Sequence, residues 1–150
     1  MSATQTSANL GMVLPGTTSP DMTNSNSVIA LLTAALLLLD SSKGNIQHLT
    51  AAGAIPIKPG TVMLNTGTAG AMTLAPPVAG LPSAGGNDGQ DLTIIAEDAE
   101  AYTVTTTAAN QINGNKHIAT FGGAAGDSIR LVAYNGVWYA GDGLNGVVLS

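Results

Sequence analysis

Three acids within four residues, Glu97, Asp98 and Glu100, form the densest cluster of chemically competent side chains in this sequence. Carboxylates this close could hold a hard cation, which takes several oxygen ligands. They fall between two strand-patterned runs, however, and there a solvated turn is the simpler reading. As the acid and base of glycoside hydrolysis they would need a fixed separation across a cleft, and nothing around them supports one. Asn87-Asp88-Gly89-Gln90-Asp91 has some character of a calcium loop. It lacks the glutamate that closes a helix–loop–helix calcium site and reads as a plain turn. His48 and His117 stand far apart, and neither belongs to an H-E-x-x-H spacing, so both read as surface or interface residues. Gly85-Gly86 and Gly122-Gly123 are not followed by the Gly-Lys-Ser/Thr of a phosphate loop, and no G-x-S-x-G elbow is present. The chain has no cysteine, which excludes disulfides and thiolate chemistry. No catalytic, cofactor or metal constellation is recognisable, and the expectation is a protein that is not an enzyme and carries no cofactor.

Composition points to assembly. Only 9% of the 150 residues are charged, against a usual ~25%. The cations are Lys43, Lys58, Lys116 and Arg130. A surface so poor in charge suggests cover by neighbouring chains. Net charge is −5 with no basic cluster, which argues against nucleic acid as a partner. Nineteen glycines, with abundant Thr, Ser, Asn and Ala, are the composition of short strands and tight turns. All five aromatics, Tyr102, Phe121, Tyr134, Trp138 and Tyr139, lie in the last third, where the best-packed core is expected.

The elements that would position these residues divide the chain in three. Residues 1–27 are rich in Ser, Thr and Asn and read as an extended arm, with Leu10, Met12, Val13 and Leu14 as one apolar cluster that could dock on a partner. No signal peptide is expected in this polar start. Residues 28–44 hold the most apolar run, twelve residues that would span ~18 Å as a helix, short of the ~20 residues a membrane needs. Ser25, Asn26 or Ser27 can cap its start and Gly44 can end it. Ile29, Leu32, Leu36 and Leu39 are spaced as a coiled-coil seam, and Leu31, Leu37 and Leu38 widen the apolar face. Such a helix must be covered on most sides, and a bundle of identical chains would cover it.

Residues 45–150 read as a β domain. Residues 54–58 and 61–65 flank Pro59-Gly60, a turn dipeptide, and residues 71–74 make a short strand stopped by Pro76-Pro77. A glycine-rich loop leads to strands at 91–97 and 101–107, joined by the acidic turn. Asn113-Gly114 marks another turn, and strands follow at 116–121, 127–134, 137–139 and 147–149. The clearest signal is the hairpin 127–139. There Ile129, Leu131 and Ala133 alternate with Arg130, Val132 and Tyr134, and Asn135-Gly136 supplies the turn. Its return strand carries Trp138, the lone tryptophan, which together with Phe121, Ile129 and Leu131 is expected to anchor the domain. About nine short strands imply a mostly β fold, a small sandwich or barrel-like domain behind an arm and one short helix. No clean internal repeat is visible.

Residues 71–140 resemble a domain that recurs in structural proteins of tailed bacteriophages. Three pieces carry the resemblance. The first is Met72-Thr73-Leu74-Ala75-Pro76-Pro77 with the glycine loop and Gly89-Gln90-Asp91-Leu92-Thr93-Ile94. The second is Tyr102-Thr103-Val104-Thr105 leading to Ile112-Asn113-Gly114. The third is Phe121 with Gly126-Asp127-Ser128-Ile129-Arg130-Leu131 and Asn135-Gly136-Val137-Trp138. The resemblance implies a small β domain of a homotrimeric virion protein: a head decoration (cement) protein, a head fibre or a tail fibre. No long fibre shaft is seen, which favours a capsid decoration protein on the outer capsid surface. Its partners would be its own copies and the major capsid protein, with no nucleic acid and no membrane. The alternative is a short fibre or adhesin module that reads host-surface glycans through exposed aromatics, for which Tyr134 and Tyr139 are the candidates.

Overall fold

Apolar residues recur at every second position along most of the strands, and the computed structural model turns that set inward. It describes residues 29–33, 35 and 45–150. The arm residues Leu10, Met12, Val13 and Leu14, and Leu36 and Leu39 of the proposed seam, lie outside the described residues. The chain divides into two units, Met1–Ser41 and Ser42–Ser150. In the first, residues 29–33 and 35 are helical, and the Thr33 hydroxyl donates to the Ile29 carbonyl at 2.8 Å. Ile29 and Leu32 are both exposed.

The second unit is all β apart from one 3-10 turn. Its strands are β1 (Asn45–Leu49), β2 (Ala54–Ile55), β3 (Gly60–Leu64), β4 (Gly70–Leu74), β5 (Asp91–Ala96), β6 (Tyr102–Thr106), β7 (Ile118–Phe121), β8 (Ser128–Tyr134), β9 (Val137–Asn145) and β10 (Val147–Leu149). They form two five-stranded sheets. The first has the order β1-β3-β5-β8-β9 and the second β10-β7-β6-β4-β2. The two sheets are not joined through any strand pair among the described residues, and residues 111–113 cover part of the outer edge of β9, so the architecture is a sandwich rather than a closed barrel.

The first six strands cross from one sheet to the other at every step. β1, β3 and β5 pair in parallel, and so do β2, β4 and β6. Parallel neighbours cannot be joined by a tight turn. Here each connection runs through a strand of the opposite sheet, which makes a two-sided coil. Pro59-Gly60 turns the chain from one sheet to the other, since β2 pairs with β4 while β3 lies between β1 and β5. The acidic segment between β5 and β6 likewise turns a corner between sheets rather than closing a hairpin. Period-two alternation reports which face a residue takes, and it is the same whichever strand lies alongside. The repeated coil is hidden because residues 75–90 are inserted between β4 and β5. β1 is absent from the expected strands because its alternation is blurred. Exposed Ile46 points outward, and Gln47 is half-buried beside Val62 at the sheet edge.

The last four strands close the unit with antiparallel pairs. Val62, Leu64, Leu92, Ile94 and Ala96 of the first sheet face Ile55, Met72, Leu74, Tyr102 and Val104 of the second, all buried. Phe121, Ile129, Leu131 and Trp138 are also in this core, Trp138 with no exposed surface. Phe121 meets Tyr102 edge to face, with ring centroids 6.4 Å apart.

Candidate functional site

The β8–β9 hairpin carries the most site-like feature among the described residues. Asn135 and Gly136 both take positive φ, 48° and 78°, as a two-residue hairpin turn requires. Residues 75–90 brace it: the Asn135 amide donates to Asp88 Oδ1 at 2.7 Å, and the Gly89 amide donates to the Ala133 carbonyl at 2.8 Å. Asn87 accepts from the Val78 amide at 2.7 Å. The calcium-like segment is thus spent on internal hydrogen bonds. With Ala133 and Trp138 paired and inward, alternation sends Val132, Tyr134, Val137 and Tyr139 outward. Tyr134 is 62% exposed and Tyr139 41%, and their rings lie 6.5 Å apart at 53°.

Beyond this pair, β9 bulges. Leu131 pairs with Ala140 and Ile129 with Leu144, so Gly141, Asp142 and Gly143 together oppose the single residue Arg130. Bulges of this kind re-aim side chains and concentrate near functional sites. Gly143 is needed there, because a Cβ would come within 2.8 Å of Arg130 Cβ. An open depression of about 370 Å³ results, lined by Arg130, Val132, Gly141, Asp142 and Gly143. Arg130 is itself occupied. Its Nε and one terminal nitrogen donate to the two carboxylate oxygens of Asp91 at 2.8 and 2.7 Å. Those bonds hold the Asp91 carboxyl below its ordinary range, against a smaller opposing effect of burial. Asp142 is exposed and has no hydrogen bond or ion pair among the described residues. The sequence reading passes over Gly141-Asp142-Gly143. Two glycines inside a strand pattern are the signal that marks such a bulge.

The outward face of the second sheet is different in kind. Two rows cross it: Ala54, Thr73, Thr105 and Ile118, then Ala71, Thr103, Thr120 and Val148. No residue in either row is charged, and Val148 is 69% exposed.

The other chemically competent residues serve the fold. His48 Nδ1 lies 3.1 Å from Glu97 Oε2 in an exposed pair. Asp98 accepts from the Tyr102 hydroxyl and, at 2.9 Å, from the Gly67 amide. The same hydroxyl accepts from the Thr66 amide at 3.0 Å, so the acidic corner is tied to the corner beneath it. His117 Nδ1 meets the Thr106 hydroxyl at 2.9 Å. Among the described residues no group of three or more His, Asp or Glu side chains is placed to hold a metal ion. No described helix is long and apolar enough to cross a membrane. Compared with protein-family models and with curated proteins, the chain matches none.

Proposed function

We propose that the protein is a structural virion component, a capsid decoration protein that binds the outer capsid surface as a homotrimer and stabilises the head. The observation that carries this reading is the uncharged, β-branched outward face of the second sheet. A chain of net charge −5 repels its own copies and other acidic surfaces wherever its acids face them. This face, with Ala and Thr in register across the strands, offers a contact free of that penalty. Residues 28–44 supply the three-fold seam, in which Ile29 and Leu32 would be covered by the partner helices. The arm of residues 1–27 supplies attachment to the capsid subunits, and repeated attachment across the head raises avidity. Co-sedimentation with tailed-phage capsids stripped of their decoration tests the reading. The full chain should pellet with the capsid, and a chain lacking residues 1–27 should stay in solution while its β domain still melts cooperatively. Equal capsid binding by both chains would refute the anchoring arm.

A further inference from the structure

We propose that Asn135 is a spontaneous deamidation site, at which the Gly136 amide nitrogen closes on the Asn135 side-chain carbonyl, ammonia leaves, and the turn gains a negative charge beside Asp88. This goes beyond the assembly reading and does not rest on it.

The step needs an asparagine whose successor leaves its nitrogen unshielded, a following amide without an acceptor, and a carboxamide free to rotate onto it. Glycine meets the first condition because it has no Cβ. The sequence has three Asn-Gly pairs, Asn113-Gly114, Asn135-Gly136 and Asn145-Gly146, and the asparagine of each is exposed. The first two match in backbone conformation, with φ of 52° and 72° in one and 48° and 78° in the other. They differ in the side chain. Asn113 Oδ1 accepts from the Ala140 amide at 2.8 Å, which holds its carboxamide against β9. Asn145 Nδ2 donates to the Gly126 carbonyl at 2.9 Å. The Asn135 side chain has no hydrogen bond among the described residues, and neither has the Gly136 amide, because Asp88 Oδ1 takes the amide of Asn135 itself.

Water is the sole co-reactant. The Gly136 N–H gives its proton to solvent as its nitrogen bonds to Asn135 Cγ. The Cγ–Nδ2 bond then breaks, ammonia leaves with a proton, and a five-membered imide remains. Water opens either C–N bond of that ring, giving aspartate or its isomer linked through the side-chain carboxyl, and nothing is oxidised or reduced. Both products place a carboxylate next to Asp88, and the repulsion weakens the Asn135–Asp88 hydrogen bond that braces the hairpin. The isomer also adds a methylene to the backbone of a two-residue turn whose geometry sets the strand register.

The test is peptide mapping by mass spectrometry of the full chain aged in mildly alkaline buffer, beside a sample aged in urea that unfolds all three pairs. In the folded chain, conversion at Asn135 should outpace that at Asn113 and at Asn145 by about two- to tenfold, the cost of releasing one hydrogen bond. In urea the three rates should converge. Equal rates in the folded chain, or the same ratios with and without urea, would overturn the proposal. Asn135→Asp supplies the product charge without ageing. It should speed exchange of the backbone amides of residues 89 and 135 about two- to fivefold, and unchanged exchange would overturn the effect on the brace.

Discussion

The indole N–H of Trp138 donates to the carbonyl of Ala75 at 3.0 Å, a bond between residues sixty-three positions apart. It joins the closing hairpin to the segment that leaves β4, so the lone tryptophan ties the middle of the coil to the antiparallel strands. Trp138→Ala should therefore cost about 3–5 kcal/mol, from lost burial and the cavity left behind. Trp138→Phe should cost less but leave the Ala75 carbonyl without its donor, about 1–3 kcal/mol. Chemical denaturation checks both, and an unchanged midpoint for the alanine variant would contradict the anchoring role.

Tyr102→Phe keeps the buried ring against Phe121 and removes only the hydroxyl shared by Asp98 and the Thr66 amide. A loss of about 1–3 kcal/mol is expected. Faster hydrogen exchange should be confined to the two stacked corners, residues 65–69 and 97–101. Uniformly raised exchange would mean that the ring, rather than the hydroxyl, had been disturbed.

Gly146 sits between β9 and β10 at φ 63°, and a Cβ there would collide with Asp127 Oδ1. Asp127 is buried and accepts from the Ala124 amide at 3.1 Å. Gly126 has a φ of 92° with open space around it. Gly146→Ala and Gly126→Ala both incur left-handed strain of roughly 1–3 kcal/mol, so the difference between them isolates the collision. Gly146→Ala should melt clearly lower, and equal melting temperatures would contradict the packing described.

The Arg130–Asp91 pair predicts a pH signature. Hydrogen bonds from Arg130 hold the folded Asp91 carboxyl below its ordinary 3.8. A folded value below the unfolded one gives stabilisation that is fully present above the unfolded value and is lost as pH falls through the folded one. Arg130→Met should lower the melting temperature slightly at neutral pH, the pair being exposed, and by less at about pH 2. High salt should shrink the neutral-pH difference. A difference independent of pH would mean that Arg130 acts through packing alone.

Much of the strand content was legible because β5, β6 and β8 alternate cleanly and Asn-Gly marks two turns. Leu92, Ile94, Tyr102, Val104, Ile129 and Leu131 announce their inward face by period alone. What was hidden is the pairing. Nothing local in Pro59-Gly60 distinguishes a hairpin from a corner, and residues 75–90 break the spacing that would reveal a coil. The candidate site was half legible. Tyr134 and Tyr139 stood out as aromatics on the outward phase of a hairpin. Asp142 did not, because its placement depends on a bulge opposite Arg130 that only the register reveals.

Assembly about a three-fold axis, proposed to run through the apolar helix and the uncharged sheet face, is tested most directly by sedimentation equilibrium of the full chain at neutral pH. The expected mass is that of three 14.9 kDa chains, falling toward one when Leu32→Asp places a charge in the seam. A wild-type mass of a single chain across the accessible concentration range would contradict it.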